Sequence, residues 1–293
     1  MSTQIQAVSA AQSGTFTLAG KLTVHRLGFG AMRITGEGIW GPPRDKKEAL
    51  SVLRRAAELG VNFIDTADSY GPNVSEELIA EALHPYPKDL VIATKGGWLR
   101  PGPNQWTHEA SPEHLRKAVE GSLRRLRLDR IDLYQLHAPA PATPFQASVE
   151  ALAELQEEGK IRLVALSNVT REHIERAEKI VPIASVQNRY SFADREWENV
   201  LDYCEQQGIG FIPWFPLGAG KLAGEVLSRV AEAHQASPLQ VGLAWLLQRS
   251  PVMLPIPGTS SVKHVEENIA AAGLKLTRAE FDELARVGLT HTR

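Results

Sequence analysis

Leu59-Gly60-Val61-Asn62-Phe63-Ile64-Asp65-Thr66-Ala67-Asp68-Ser69-Tyr70-Gly71 is the stretch from which the fold can be read. Gly60 follows a helical run, Lys46–Leu59, and stands where a helix-ending glycine is favoured. Asn62–Thr66 is short and apolar in its centre, as a strand covered on both faces is. Asp65 and Tyr70 come at the end of that strand, and a second helical run, Glu76–Leu83, follows. The stretch therefore reads as one helix–strand–helix step of an alternating chain.

The step recurs in both directions. Expected strands are Leu27–Met32, Asn62–Thr66, Leu90–Thr94, Ile131–Leu136, Ile161–Leu166, Ser185–Asn188, Gly210–Trp214 and Met253–Pro257. Expected helices between and after them are Lys46–Leu59, Glu76–Leu83, Pro112–Leu126, Phe145–Glu158, Arg171–Lys179, Glu196–Gln207, Glu225–Ala233, Pro238–Gln248 and Val262–Ala271. Asp45 with Glu48, and Thr277 with Glu280, have capping-box spacing. Ser111–Pro112, Thr143–Pro144 and Ser237–Pro238 each offer a hydroxyl at the N-cap and a proline at the first helical position. Gly60, Gly159 and Gly208 all stand between a helical run and a strand.

Eight such units in one chain suit a closed parallel barrel, an α/β fold of the (β/α)8 TIM-barrel class. Thr15–Val24, turning at Ala19–Gly20, reads as an N-terminal β-hairpin, and Thr277–Val287 as an extra C-terminal helix. The expected organisation is a frayed polar tail over residues 1–14 and one barrel domain over 15–290. The competing architecture, an open doubly wound sheet, calls for G-x-G-x-x-G after its first strand. Gly28-Phe29-Gly30-Ala31-Met32-Arg33 ends in arginine instead.

The chain's 293 residues are 43% hydrophobic and 23% charged, with a formal net charge of −2. Such a balance gives no electrostatic reason to expect nucleic acid or a membrane surface as partner. Cys204 is the single cysteine, so no internal disulfide is available. No secretory signal pattern and no run of some 20 apolar residues is present. The expectation is a cytoplasmic protein, monomeric or weakly homo-oligomeric, whose partner is a small molecule.

Catalytic groups of a barrel gather at the C-terminal ends of its strands. The polar residues there are Asp65, Lys95, His137, Ser167, Asn168, Gln187 and Asn188, with Tyr70 on the loop after the second strand and Trp214 ending the seventh. A phenol titrates near 10 and needs tuning to act as an acid near neutrality. An ammonium from Lys95 would lower the Tyr70 pKa, Asp65 would hold the lysine, and His137 would orient a carbonyl oxygen. Singly, each has an ordinary explanation: a rim salt bridge, a turn tyrosine, a loop histidine. Their arrival at one mouth points to hydride attack on a carbonyl carbon with Tyr70 as proton donor. A metal site using Asp65, Asp68 and His137 lacks the His-rich ligand set usual for such centres.

Gly60–Gly71 resembles the aldo-keto reductase signature around its catalytic Asp and Tyr. Ile92-Ala93-Thr94-Lys95 and Asp132-Leu133-Tyr134-Gln135-Leu136-His137 resemble the strands that supply the family's lysine and histidine. The resemblance runs from about residue 15 to 288. It implies a tetrad of Asp65, Tyr70, Lys95 and His137 and a nicotinamide cofactor, NADPH, with NAD as the alternative. By the same resemblance, Ser167, Asn168 and Gln187 hold the carboxamide, and Trp214 stacks on the nicotinamide. Phe215, Pro216, Leu217 and Gly218 form the pyrophosphate loop, and Gly30, Ala31 and Met32 line the cofactor. Gly258, Thr259, Ser260, Lys263, His264, Glu267 and Asn268 receive the adenosine end. Many relatives carry Lys near position 258 and Arg near 264 for the 2′-phosphate; here these are Gly258 and His264. The last helix lies near the end of the sequence, which implies an open or differently lidded pocket.

Trp40 and Trp98, joined by Trp106, fall in loops where a substrate pocket forms and point to a flat apolar or aromatic carbonyl. Gly38–Asp45 and Trp214–Gly218 resemble the bacterial branch similar to pyridoxal reductases (pyridoxine 4-dehydrogenases). Arg44 or Arg100 could bind a polar substituent of the substrate, but each reads first as a solvated surface arginine. The alternative functional class is a cofactor-binding regulatory subunit of the potassium-channel β type, with little turnover.

Overall fold

The computed structural model describes residues 8–218 and 224–288. The chain opens with a hairpin, β1 (Thr15–Leu18) and β2 (Leu22–His25), then β3 (Phe29–Gly30), α1 (Lys46–Glu58), β4 (Phe63–Asp65), α2 (Val74–Leu83) and β5 (Val91–Gly96). A second small hairpin, β6 (Trp98–Leu99) and β7 (Thr107–His108), precedes α3 (Pro112–Leu126). Then come β8 (Ile131–Leu136), α4 (Phe145–Glu157), β9 (Ile161–Ser167), α5 (Arg171–Ala177), β10 (Ile183–Arg189), α6 (Glu198–Gln207) and β11 (Gly210–Trp214). Four helices close the order: α7 (Glu225–Ala233), α8 (Pro238–Arg249), α9 (Val262–Ala270) and α10 (Arg278–Gly288).

Seven parallel strands pair in the order β11-β10-β9-β8-β5-β4-β3. The eighth segment bridges the two edges. On one side Phe211 donates to the Val252 carbonyl and Leu254 to the Phe211 carbonyl; on the other Gly28 donates to the Pro255 carbonyl. The sheet thereby closes as a (β/α)8 barrel. The segment expected as a strand over Met253–Pro257 makes only an isolated bridge at Met253. Pro255 and Pro257 carry no N–H, so the segment offers β3 no donors at those positions. The first strand is also shorter than expected. It stops at Gly30, and Ala31–Ile34, including the expected strand residues Ala31 and Met32, coil into a 3-10 turn.

Residues 1–7 of the expected tail lie outside the described residues, as do 289 and 290 at the far end of the expected domain. Residues 10–13 are not frayed. They form a 3-10 turn capped by Ser9, with Ala10 donating to the Leu59 carbonyl at 2.8 Å and Ser13 Oγ accepting from Leu27. Leu18, Leu22 and Val24 of the hairpin pack with Phe63, Val91, Ala93, Leu133, Leu163 and Leu254, so the hairpin closes the barrel's lower end.

Two caps differ from expectation. Asp45 accepts from the Glu48 amide, but the Glu48 carboxylate reaches away to the Val262 amide at 2.9 Å, tying α1 to α9 instead of completing a box. Pro144, not Thr143, occupies the N-cap of α4, without a side-chain cap. Ser111, Ser237 and the Thr277–Glu280 pair cap as their sequences imply. Gly60, Gly159 and Gly208 take left-handed backbone at 80°, 76° and 68°, conformations that favour glycine.

Candidate functional site

Strand alternation delivers the site. Successive side chains point to opposite faces, so residues two apart share one. Phe63, Ala93, Leu133 and Ala165 belong to the inner core, and two residues further along their strands stand Asp65, Lys95, Gln135 and Ser167. Parallel register sets Lys95 beside Gln135 and Gln187 beside Ser167. Apolar layers below thus give way to a polar layer at the strands' C-terminal ends.

Lys95 is fully buried, and its ammonium donates in three directions. Asp65 Oδ2 accepts at 2.6 Å, the Thr66 carbonyl at 2.8 Å and Tyr70 Oη at 3.2 Å. An ammonium has three N–H donors, so this set uses all of them. The other Asp65 oxygen accepts from Gln135 Nε2 and Gln187 Nε2, both at 2.8 Å, and the two amides bond to each other. Buried charges persist when they are paired and hydrogen-bonded in this way. Burial alone would lower the Lys95 pKa; Asp65 and Tyr70 reverse that, and it is raised.

Burial also pushes the Tyr70 phenol above its usual 10, and the lysine only partly opposes this. The expected lowering by Lys95 is present as an influence but does not prevail, because Tyr70 is removed from water. His137 moves the other way. Burial first, then Lys95, Arg100 and His108, hold its imidazole well below 6.5, so it is neutral near physiological pH. Ser69 Oγ lies 3.4 Å from Nδ1. A Ser69 hydroxyl that donates there leaves Nε2 as the ring's N–H, the tautomer that can donate into the cavity.

These groups open into a cavity of about 850 Å³, within the range of small-molecule and cofactor sites. Asp65, Tyr70, His137, Trp98 and Trp106 line one end, and Ser167, Asn168, Gln187 and Trp214 the middle. Gly258, Thr259, Ser260, His264, Glu267 and Asn268 line the other end, with Gly30, Met32, Phe215, Pro216 and Leu217 along the walls. Asn168, in left-handed backbone at 57°, bridges the His137 carbonyl and the Trp214 indole N–H. Asn188 pins the Val169 backbone on both its N–H and C=O. The Gly30 and Gly258 backbones approach so closely that a Cβ at Gly258 would stand 2.5 Å from the Gly30 carbonyl oxygen. A wall of bare backbone at Gly30 and Gly258, amide and hydroxyl donors and an indole beside them fit a dinucleotide.

Several expected residues are not on the cavity wall. Lys95 stands behind Asp65 and Tyr70. Ala31 is buried, with its carbonyl accepting from Ser75. Gly218 closes a turn onto the Phe215 carbonyl, and Lys263 is exposed, 3.8 Å from Glu267. Trp40 bridges to Gly71 in the rim loop. Arg100 is not a solvated arginine: it is 8% exposed and engaged with backbone carbonyls. The reading of the sequence passed over Gln135, Ser69 and Arg33. Gln135 was detectable as the inward position two before His137. Arg33 lines the cavity near Gly258, where relatives' lysine is missing. Among the described residues no group of three or more His, Cys, Asp or Glu converges to hold a metal, and no helix is long and apolar enough to cross a membrane.

The chain is 51% identical over 284 residues to an uncharacterised oxidoreductase of Schizosaccharomyces pombe, covering 96% of this chain and 92% of that one. It is 48% identical to pyridoxine 4-dehydrogenase of Escherichia coli, covering 93% and 97%. Among solved structures it superposes on an aldo-keto reductase from Klebsiella pneumoniae in complex with NADPH, with a TM-score of 0.80 at 28% identity over 95% of both chains. The model of the aldo/keto reductase family matches residues 26–288, and the chain belongs to that family of oxidoreductases.

Proposed function

We propose that the protein reduces an aldehyde or ketone to the alcohol with NADPH, and that flat, uncharged ring carbonyls such as pyridoxal are its substrates. The observation that carries this reading is the ammonium of Lys95, shared between Asp65 and the Tyr70 hydroxyl, opposite a neutral His137 at one end of a long cavity. When bound, the reduced nicotinamide supplies the hydride that reaches the carbonyl carbon. Tyr70 then gives its proton to the carbonyl oxygen, and the Lys95 ammonium stabilises the phenolate left behind. Asp65 keeps Lys95 charged and in place. His137 donates from Nε2 to the same oxygen, which orients the carbonyl without adding charge.

Ser167 and Asn168 are assigned to the carboxamide and Trp214 to the ring face. Gln187 shares that role through its remaining lone pairs, since its amide N–H is given to Asp65 and Gln135. Arg33, Thr259, Ser260 and His264 are assigned to the phosphates. The Klebsiella relative with NADPH supports this choice of cofactor, and the Escherichia coli dehydrogenase supports the substrate class. Trp98 and Trp106, with ring centroids 6.2 and 6.4 Å from that of His137, provide edges and faces for a flat ring.

A carbonyl panel including pyridoxal, followed by NADPH absorbance and repeated with NADH, tests the reading. Tyr70→Phe is expected to lose about 10²- to 10⁴-fold in kcat while binding NADPH as the parent does. Wild-type turnover in that variant removes Tyr70 as donor. Tight NADPH binding with no turnover of any carbonyl would favour a regulatory role instead.

A further inference from the structure

Arg100 stands just beyond the substrate end of the cavity, and its surroundings are unusual for an arginine. Among the described residues it pairs with no carboxylate. Its guanidinium instead donates to four backbone carbonyls: Gln105 at 2.8 Å and Ile39, Ser69 and Gly38, each at 2.9 Å. Its Cζ lies 3.7 Å from the centroid of the Trp106 ring. The rigid five-donor fork of arginine suits such a multiple attachment, whereas an ammonium presents a single point.

The four carbonyls belong to three segments that build the substrate end. Gly38 and Ile39 belong to the rim loop after β3, Ser69 precedes Tyr70, and Gln105 lies in the β6–β7 turn beside Trp106. The rim loop is held in left-handed backbone at Gly38 (67°) and Ile39 (55°). A β-branched residue in that region is strained, and such strain persists only where surrounding structure enforces it. The two carbonyls of those residues are among those that Arg100 grips. The same loop is stitched to the Tyr70 turn, with Gly71 donating to the Ile39 carbonyl and Gly41 to the Gly71 carbonyl. Ser69 links the chain onward: its carbonyl accepts from Arg100, and its hydroxyl meets His137.

We propose that Arg100 is a positioning residue that clasps the rim loop, the Tyr70 turn and the Trp106 turn into one rigid substrate wall, thereby setting both the placement of Tyr70 and the fit of flat carbonyls. Four of its five donors are spent on backbone, which leaves at most one N–H for any other group. The kinetic half of this assignment rests on the carbonyl-reduction reading; the structural half does not.

Arg100→Lys and Arg100→Ala test it by two independent readouts. Hydrogen–deuterium exchange, read without substrate, is expected to quicken in residues 36–41 and 69–71 of both variants. With a flat aromatic aldehyde, kcat/KM is expected to fall roughly 10- to 100-fold, as displaced catalytic groups do, with KM rising; a small aliphatic aldehyde should lose less. The Kd for NADPH should stay within about twofold, because Arg100 does not line the cofactor cavity. Lysine keeps the charge but cannot span four carbonyls, so Arg100→Lys should lose nearly as much as Arg100→Ala. Three results overturn the proposal: unchanged exchange in both segments, wild-type kinetics restored by lysine, or NADPH affinity falling in step with kcat/KM. Should Arg100→Ala not fold, Arg100→Lys carries both readouts. Should the parent reduce no carbonyl at all, the reductase reading fails by itself, and the exchange data still decide the clasp.

Discussion

Asp68, two residues before Tyr70, is a buried acid with a consequence for stability. Its Oδ1 has no hydrogen-bond partner among the described residues. Burial first, and the neighbouring Glu76 second, push its pKa from 3.8 up to about 8. Between those values the native chain holds a proton that the unfolded chain releases, so stability falls as pH rises. The contribution is complete below about pH 4, declines by up to about 1.4 kcal/mol per pH unit, and levels off above about 8. Asp68→Asn removes the titration. Urea unfolding at pH 5, 7 and 8.5 is expected to show a smaller loss with pH in the variant than in the parent; identical slopes would place the Asp68 carboxylate in contact with water. The Asp-Thr-Ala-Asp-Ser-Tyr spelling reveals Asp65 and Tyr70 readily, because both carry chemistry that a strand end can present. The spelling does not reveal the state of Asp68, which depends on Glu76 and on the packing of α2 over β5. The net shift at Tyr70 is hidden from the sequence for a similar reason: charge pairs can be inferred from spacing, but the water excluded from around them cannot.

At the scale of elements, helices were more legible than strands. The helices carry local signals, such as serine–proline starts and glycine stops, that need no partner to act. The two strands nearest the seam are decided by contacts distant in sequence. Met253–Pro257 has strand composition, yet its prolines deny it a ladder, and Gly28 takes the Pro255 carbonyl instead. On β10, pairing with β9 advances three residues for two, which brings Gln187 inward after Ala184; no periodicity in the sequence marks that slip. The seam also yields a prediction. An added Cβ at Gly30 would lie 2.6 Å from the Ile256 carbonyl oxygen, and backbone on both sides leaves nothing flexible to yield. Gly30→Ala should cost about 1–3 kcal/mol by overpacking and weaken dinucleotide binding roughly tenfold, because the backbone it displaces at Gly30, Ile256 and Gly258 lines the cofactor cavity. Thermal unfolding and NADPH fluorescence titration measure the two effects. A variant with parental values for both would show that the seam gives way freely.

Across the whole molecule, stability and chemistry are separated to opposite ends of the barrel. The polar layer of Asp65, Lys95, Gln135 and Gln187 is at the upper end. At the lower end the hairpin seals the interior, and His25 fixes it to the barrel through bonds to Asn62 Oδ1 and the Gly60 carbonyl, each 2.7 Å. Leu18 is wholly buried there among Phe63, Val91 and Leu254, and shares none of the cavity's lining. Apolar side chains at the bottom of such a barrel contribute to folding, whereas the loops at the top carry activity. Leu18→Ala removes buried methyl groups from a site closed on every side, a change that costs about 2–5 kcal/mol. For a chain of this size each kcal/mol lowers the melting temperature by roughly 1.5–2 °C, so a drop of about 3–10 °C is expected. Below the onset of unfolding, kcat/KM for the carbonyl substrate and the Kd for NADPH should stay within about twofold of the parent, because contacts removed far from the transition state leave its energy unchanged. Measured together, a lower melting temperature with intact kinetics establishes the hairpin as a closure of the fold alone. A matching fall in kcat/KM at low temperature would instead mean that the lower core transmits its packing through the strands to the Asp65–Lys95 layer.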